Sequence, residues 1–332
     1  MHHHKVSILI PVYNREKYIA DCIQSALDQT YSNIEIIIVD NASTDRTWDI
    51  CLDCAAKDDR VRLFQNEKNI GPVRNWKRCI EEASGDYGKI LWSDDLIAPD
   101  FLEETLPLFN DDVGFVYSGV KTFTESPRSG DPCYFLDGTG IYPINKYIEG
   151  VLYKTDFPVS PGCAVFRLQD LKRNLLINVP NKVNSDFAVH AIGNDLLLFL
   201  LTAKDYKKFA VVAKPLSFFR AHNESISVVA KRGKLPLHYA LAKAYFVNRY
   251  LADEKTRLAS YIQLLLWRNF DAKKYGMRKV EDFFEQPVKL SNRFLIILTL
   301  QKAVRLGEQF RKKIWRSFSL VQKGGKRMQH FL

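Results

Sequence analysis

The sequence predicts an α/β fold with a mostly parallel sheet flanked by helices, followed by a helical C-terminal extension. Over the first 118 residues, short apolar runs alternate with segments whose apolar residues recur every three to four positions. That alternation is typical of strand–helix–strand units, whose strands pair in parallel. After Lys231 the alternation ends and the pattern is helical. We therefore expect two regions, residues 5–230 and 231–332.

The individual elements follow from these patterns. Apolar runs predict strands at residues 6–10, 34–39, 61–64, 90–92 and 114–118, and a turn and strand at residues 160–167. Helical patterns cover residues 19–27, 48–55, 73–83, 100–109, 195–201, 237–251 and 256–270. Asn14 is predicted to cap the first helix, because Asn is a favoured N-cap. Residues 119–160, rich in Gly, Pro, Asp and Tyr, show no clear period.

The composition is that of a globular protein whose charge is unevenly divided. The 332 residues are 46% hydrophobic and 26% charged, with a net charge of +10. Residues 1–230 carry a net charge of −6 and residues 231–332 carry +16. The two regions are therefore expected to face different partners.

Neither the apolar runs nor the cysteines indicate export or membrane insertion. No run approaches the roughly 18 apolar residues of a spanning helix, and the first strand is too short for a secretory signal. The six cysteines show no disulfide pattern, and Cys51 and Cys54 have metal-ligand spacing without a second pair. We expect a cytoplasmic protein. The run His2 to His4 is typical of a purification tag and carries no functional signal.

Polar clusters follow three of the predicted strands where each strand ends, at residues 11–14, 40–45 and 93–95. Right-handed crossovers bring the carboxyl ends of parallel strands to one edge of a sheet, which is where ligands bind in open α/β folds. No glycine-rich dinucleotide fingerprint and no phosphate-binding loop occurs. The sequence therefore argues against a dinucleotide-binding protein and a P-loop ATPase.

The adjacent carboxylates of Asp94 and Asp95 are the main chemical signal at this edge. Two such groups repel each other unless a cation or ligand hydroxyls offset their charge. Oxygen ligands suit Mg²⁺ or Mn²⁺, which in turn would hold a diphosphate. An exposed acidic turn that caps the next helix is the simpler alternative.

Four motifs together resemble the family-2 inverting glycosyltransferases, which have the Rossmann-like GT-A fold. They are Val-Ser-Ile-Leu-Ile-Pro-Val-Tyr-Asn, Val-Asp-Asn-Ala-Ser-Thr-Asp, Asn-Ile-Gly-Pro-Val-Arg-Asn and Ser-Asp-Asp, in the family's order within residues 5–100. The resemblance implies a nucleotide-diphosphate sugar donor and a divalent cation. Ser93 replaces the first Asp of the usual Asp-x-Asp. This leaves Asp95 as the metal ligand and places Asp94 nearer the ribose or donor sugar.

The same resemblance implies which residues hold the nucleotide and which border the acceptor. The base is expected to contact Asp40 and the backbone of Pro11, Val12, Tyr13 and Asn14. Arg74 is expected to lie near the nucleotide, and residues 119–160 and 160–167 to border the acceptor. A turn cap at Asp40 and a plain surface charge at Arg74 are the alternatives.

Asp195 is the predicted catalytic base. It stands at the head of an apolar helix, where a low-dielectric surrounding raises the pKa of a carboxyl group and the helix start lowers it. By resemblance, family-2 enzymes commonly place their catalytic Asp before such a helix. A simple helix cap is the alternative role. Asp186 is the competing candidate for the base.

The segment from Pro215 to Ser227 resembles the Tyr-Arg-x-His-x-x-Ser-x-Ser motif that ends many catalytic domains of this family. From this resemblance, His222 is expected to contact the metal or the diphosphate. Arg220 is expected to neutralise phosphate charge. A purely structural role for His222 stays open.

From Leu290 onward the chain is basic and amphipathic. Residues 289–332 contain 11 Lys and Arg against one acidic residue, Glu308, and apolar residues recur every three to six positions from Ile296 to Val321. Such a helix can lie in the interface of an anionic membrane. Packing on its own domain or on a second subunit is the alternative.

Together these features predict a metal-dependent inverting glycosyltransferase at the inner face of the cell membrane. It would move a sugar, most simply from a UDP-sugar, to a glycan or lipid-linked acceptor in surface polysaccharide or lipopolysaccharide synthesis. A sugar nucleotidyltransferase is one alternative, but the sequence lacks the glycine-rich basic loop that it needs. A basic nucleic-acid-binding protein is the other alternative. The sequence lacks aromatic stacking motifs and residues 1–230 carry a net negative charge, so no nucleic acid is expected.

Overall fold

A ten-stranded sheet forms the centre of the fold in the computed structural model, which describes residues 4–154, 156–223, 225 and 233–304. The strands are β1 (Val6–Val12), β2 (Ile34–Asp40), β3 (Val61–Gln65), β4 (Tyr87–Ile90), β5 (Leu96–Ile97), β6 (Val113–Phe123), β7 (Asp131–Cys133), β8 (Gly140–Pro143), β9 (Ala164–Arg167) and β10 (Lys208–Arg220).

Six of these strands share one direction, which confirms the predicted α/β class. The order across the sheet is β3-β2-β1-β4-β9-β6-β10-β5, with β7 beside β6 and β8 beside β10. Strands β3, β2, β1 and β4 pair in parallel, and so do β6 and β10. Because β9 is antiparallel to both β4 and β6, the last two run the same way. The carboxyl ends of all six therefore lie at one edge.

Helices cover both faces of the sheet, and successive residues of a strand face opposite sides. Ile8 and Ile10 belong to the apolar cluster on one face, and Leu9 belongs to the cluster on the other. The helices are α1 (Ile19–Leu27), α2 (Thr47–Ala55), α3 (Pro72–Glu82), α4 (Phe101–Thr105), α5 (Ile144–Tyr153), α6 (Leu168–Asn174), α7 (Phe187–His190), α8 (Asn194–Ala203), α9 (Lys234–Tyr250) and α10 (Lys255–Leu266).

Several predicted boundaries differ from the observed ones for local reasons. Helix α4 ends at Thr105 and a 3-10 turn follows, because Pro107 has no amide hydrogen to donate to the carbonyl of Glu103, four residues before it. Strand β4 begins at Tyr87, earlier than predicted, and ends at Ile90. The amide of the next residue, Leu91, still donates to the carbonyl of Leu9 in β1. The prediction that Asn14 caps α1 is wrong, since that helix begins only at Ile19 and receives no side-chain cap.

The helical region after residue 233 packs on the sheet domain. Helix α9 lies against α8, and α10 lies against α5 and α9. Phe209 of β10 and Phe246 of α9 belong to the same apolar cluster. The predicted boundary at residue 230 lies outside the described residues. Residues 292–304 are helical, and no helix in the described part of the chain is long and apolar enough to cross a membrane.

Candidate active site

The carboxyl ends of β1, β2, β4 and β10 bring the predicted polar clusters to one edge of the sheet. Strand β4 leads to Asp94 and Asp95, and β10 ends at Arg220, two residues before His222. These residues, far apart in sequence, contact one another directly.

Two hydrogen bonds hold Asp95, one within the loop after β4 and one from the end of β10. Its amide donates to the carbonyl of Trp92 at 2.9 Å, and its Oδ1 accepts from the amide of Arg220 at 2.8 Å. The residue is 6% exposed. Burial and the neighbouring carboxylate of Asp94 raise the pKa of Asp95 well above its ordinary value. Extra negative charge is therefore poorly tolerated here, and a cation would relieve it.

Asp94 is the less buried member of the pair and has basic neighbours. Its Oδ2 lies 2.7 Å from Nε2 of His222 and 3.9 Å from Nε of Arg15. Its carbonyl oxygen accepts from Nε of Arg220 at 3.0 Å. Arg15 also donates to the carbonyl of Asn14 at 2.9 Å, so it joins the carboxylate pair to the β1 loop.

Aromatic rings fix the two basic side chains that follow β10. The guanidinium group of Arg220 lies between the rings of Tyr18 and Phe123, 5.0 Å and 4.9 Å from their centroids. The ring of His222 packs on Tyr18 at 4.7 Å. Positive charge is thus held beside Asp94, where an anionic ligand would meet it.

The carboxylate pair fits a divalent cation that a substrate helps to bind. Among the described residues, no group of three His, Cys, Asp or Glu side chains is arranged to hold a metal ion. Mg²⁺ is usually bound through one or two carboxylates together with substrate phosphates. Asp95 and Asp94 supply two such carboxylates. Nε2 of His222 is directed at Asp94.

The loops after β1 and β2 interlock. The amide of Asn14 donates to Oγ of Ser43 at 2.9 Å, and its Oδ1 accepts from the amide of Thr44 at 2.8 Å. Asp40 is fully buried, and its carboxylate accepts from the amide and hydroxyl of Ser43 and from Nε2 of Gln65. In this structure the carboxylate of Asp40 therefore shapes the β2 loop.

The remaining nucleotide-side residues are more exposed. Tyr13 is 40% exposed at the tip of the β1 loop, next to buried Val12 and Pro11. Arg74 is exposed in the first turn of α3, which follows β3 at the same edge. Their positions leave them accessible to a ligand at this edge.

Asp195 lies in the first turn of α8 and is 8% exposed. Its Oδ1 accepts from the amides of Gly193 and Leu196, at 2.9 and 2.8 Å, and its Oδ2 accepts from the hydroxyl of Tyr239 at 2.7 Å. Burial raises the pKa of Asp195 to about 6, although these three donors act in the opposite direction. A carboxylate with such a pKa is suited to general base catalysis near neutral pH.

Asp186 has a different environment. It is exposed and is the N-cap of α7, where its Oδ1 accepts from the amides of Ala188 and Val189 at 2.9 and 3.3 Å. Helix capping alone accounts for an Asp at this position.

The turn Pro161–Cys163 contacts both β4, which leads to the Asp94–Asp95 pair, and α8, which carries Asp195. Lys89, which sequence reasoning missed, anchors this turn. Its buried ammonium group donates to the carbonyls of Gly162 and, at 2.8 Å, of Ile90. Burial lowers the pKa of Lys89 to about 8. A single Lys inside an apolar strand was the available signal, since such a residue needs buried partners.

Tyr239 was also missed, because nothing in the sequence of α9 connects it with Asp195. Its aromatic ring fits the apolar pattern of a helix, and its hydroxyl finds a partner only through tertiary packing.

Comparison with known proteins identifies the family of the chain. Residues 7–175, about half of the chain, match the family model described as Glycosyl transferase family 2. An uncharacterized glycosyltransferase of Haemophilus influenzae is 46% identical over 101 residues, which are 30% of this chain and 40% of the relative. Glycosyltransferase GlyA of Streptococcus pneumoniae is 36% identical over 232 residues, which are 68% of this chain and 32% of GlyA.

The fold is also that of a solved structure. The crystal structure of S. aureus TarS 1–349 in complex with UDP-GlcNAc aligns with a TM-score of 0.60 and 19% identity, covering 80% of this chain and 73% of that TarS chain. That likeness supports the GT-A-like architecture, and the residues that the family model matches include Asp40, Arg74, Asp94 and Asp95. The chain belongs to glycosyl transferase family 2.

Proposed function

We propose that the chain is an inverting glycosyltransferase that moves a sugar from a nucleotide-diphosphate sugar to a hydroxyl group of a glycan or lipid-linked saccharide. The observation that carries this proposal is that the turn Pro161–Cys163 contacts both β4, which leads to the Asp94–Asp95 pair, and α8, which carries Asp195. The Asp94–Asp95 pair has basic neighbours that suit a diphosphate. Asp195 has a raised pKa that suits a base.

The donor would lie over the edge formed by the β1, β2 and β4 loops. The base would rest on Asp40 and the backbone from Pro11 to Asn14, with Arg74 beside the nucleotide. We choose UDP as the first nucleotide to test, because TarS, which shares the fold, binds UDP-GlcNAc. Asp94 would contact the ribose or donor sugar.

Asp95 would hold a divalent cation, Mn²⁺ or Mg²⁺, with His222 beside it. A bound cation would offset the charge that develops on the departing diphosphate. Arg220, held between two aromatic rings, would contribute positive charge to the same side.

Asp195 would take the proton from the acceptor hydroxyl as that oxygen attacks the anomeric carbon. The attack would come from the face opposite the nucleotide, so a single displacement would invert the anomeric configuration. Burial keeps water from the carboxylate and raises its basicity. Asp186, exposed and engaged in capping, is the weaker candidate for this role.

We further propose that the C-terminal region contacts an anionic membrane that carries the acceptor, in surface polysaccharide synthesis on the cytoplasmic side. Ile296, Leu300 and Val304 are about 60% exposed and are spaced by four residues along the helical segment 292–304. Lys302 and Arg293 accompany them, and the basic residues from Arg305 onward lie outside the described residues. Exposed apolar residues with basic neighbours are typical of helices at a membrane interface.

Release of nucleotide from a panel of UDP-, GDP-, dTDP- and ADP-sugars, with Mn²⁺ or with EDTA, tests the proposal. We expect one donor class to be hydrolysed slowly with Mn²⁺ and not with EDTA. Asp95→Asn should abolish that release, while Asp86→Asn, at the opposite end of β4, should retain it. If no donor is consumed or bound with metal present, the transferase proposal is wrong. Release that persists in EDTA would show that the metal requirement is wrong and would leave the transferase proposal standing.

A further inference from the structure

Helix α9 reaches into the candidate active site through one side chain. The hydroxyl of Tyr239 donates to Oδ2 of Asp195 at 2.7 Å. The other carboxylate oxygen accepts from two backbone amides at the start of α8. Tyr239 thus belongs to the region after residue 231, while Asp195 belongs to the sheet domain.

The contact between the two helices is close and anchored. Gly193, directly before α8, has φ +106°, and a Cβ there would lie 2.9 Å from Cβ of Ala242 in α9. Lys243 of α9 donates to the carbonyl of Leu152 at the end of α5, at 3.0 Å. The rings of His238 and His190 are 4.5 Å apart. Helix α9 therefore cannot shift away from Asp195 without disturbing several buried contacts.

The hydrogen bond has two physical effects on the carboxylate. A donor to the ionised form favours that form and opposes the effect of burial. A bond to Oδ2, added to the amide bonds to Oδ1, also fixes the rotation of the carboxylate plane. General base catalysis depends on such orientation, because the base must point at the proton it accepts.

We propose that Tyr239 is a positioning residue for the transfer reaction, and that its hydroxyl orients the Asp195 carboxylate. Helix α9 is then part of the active site rather than an accessory to it. This inference rests on the proposed function, in which Asp195 is the base.

Other titratable side chains lie around Asp195 and Tyr239. Tyr134, between β7 and β8, and Tyr147 of α5 lie near enough for the charge of Asp195 to help raise their pKa, after burial. His190 of α7 and His238 of α9 flank the contact, and burial lowers the pKa of both, to about 4 for His190. Burial, then Asp195, raises the pKa of Tyr239 itself.

Tyr239→Phe removes one hydroxyl group and leaves the ring, so it isolates the hydrogen bond. We expect kcat/KM to fall about tenfold at pH 7, and the acidic limb of its pH profile to move upward by about one unit, since a bond to a charged group is worth about that much. Donor KM should change little, and the melting temperature should fall by no more than about 4 °C, as expected for one lost hydrogen bond in a large domain. Tyr245→Phe, in the same helix and half-buried, should match the wild type.

The companion variant Asp195→Asn separates this inference from the proposed function. If Asp195→Asn is inactive and Tyr239→Phe keeps the wild-type pH profile, the role of Tyr239 is wrong and the function stands. If Asp195→Asn remains active, the base assignment fails instead. A limb shift in Tyr245→Phe equal to that in Tyr239→Phe would also overturn the inference, since it would report helix packing alone.

Discussion

Burial and hydrogen bonding act in opposite directions on the carboxyl group of Asp195. Burial raises its pKa to about 6, and the donors Tyr239, Leu196 and Gly193 limit that rise. The group is therefore ionised at neutral pH and is still more basic than an exposed Asp. Such a balance is typical of a carboxylate that accepts a proton during a reaction.

Asp195→Asn is expected to lower the rate of transfer by roughly two to four orders of magnitude, the usual scale for a lost general base. Donor binding should change little, because the residue lies apart from the strand-end carboxylates. In the wild type, kcat/KM should fall about tenfold per unit below pH 6, as Asp195 becomes protonated. Steady-state kinetics between pH 5 and 9 measure both effects.

Asp186→Asn is the matched control, since it changes a carboxylate nine residues away that caps a short helix. Asn is also a good N-cap, so its activity should stay close to wild type. If Asp186→Asn is the inactive variant and Asp195→Asn is active, the base is Asp186.

Lys89→Met is expected to lower the free energy of unfolding by about 1–3 kcal/mol. The carbonyls of Gly162 and Ile90 would lose their buried donor, and such groups are costly to leave unpaired. Urea unfolding measures the change, with Lys214→Met, an exposed ion-pair partner of Glu104, as the control. Equal stability of the two variants would show that Lys89 does not anchor the turn.

The carboxylates could be predicted from the sequence and their partners could not. Asp95 and Asp195 each adjoin an apolar run, which marks the end of a buried element. The donors to them, Arg220 and Tyr239, lie 125 and 44 residues away. Only the pairing of β10 in the sheet and the packing of α9 bring these partners together.

At the scale of the element, the start of α8 depends on one glycine. Gly193→Ala is expected to lower the free energy of unfolding by about 1–3 kcal/mol, because φ +106° strains any other residue and the added methyl group would meet Ala242. The same change should reduce activity, because a shift of the strained backbone would displace the amide of residue 193 that donates to Asp195.

Gly138→Ala is the control, because a Cβ there meets nothing within 4 Å. Thermal unfolding of both variants compares the two positions. A Gly193→Ala protein as stable and active as Gly138→Ala would show that α9 and α8 can separate without cost.

Strand β10 and helix α5 are two elements that sequence reasoning missed. Strand β10 contains Pro215, and its pairing with β6 shifts register on both sides of that residue. Proline and the irregular pairing hide the strand's alternation. Helix α5 was missed for another reason: its buried Ile144, Tyr147 and Val151 keep a helical spacing, but the segment before it is rich in turn-forming residues.

At the scale of the whole molecule, the mostly parallel sheet was predictable because strands alternate with helices in the sequence, and the common edge of the strand ends was predictable because such connections obey a fixed handedness. The position of the helical region was not. Its amphipathic patterns show that α9 and α10 have buried faces, but they do not show which surface covers them. The structure supplies that surface in α8 and α5.

Deletion of residues 289–332 is expected to leave donor binding intact and to lower activity on a membrane-embedded acceptor. The deletion removes 11 Lys and Arg, each worth about 1 kcal/mol near an anionic surface. Sedimentation of the full-length and truncated proteins with anionic and neutral vesicles measures the binding.

If the segment instead packs on its own domain or a twin subunit, truncation would lower the melting temperature or solubility and leave vesicle binding unchanged. Failure of the full-length protein to sediment with anionic vesicles at low salt would contradict the membrane proposal.

The bond from the amide of Arg220 to Asp95 also has a consequence for biosynthesis. A nascent chain that has reached residue 175 contains every residue that the family model matches, but the last long strand is still unmade. The carboxylate pair then lacks both its backbone donor and His222. Contacts of such long sequence separation form late and slowly. Competence to bind a donor should therefore appear abruptly, once the ribosome has released the residues beyond β10.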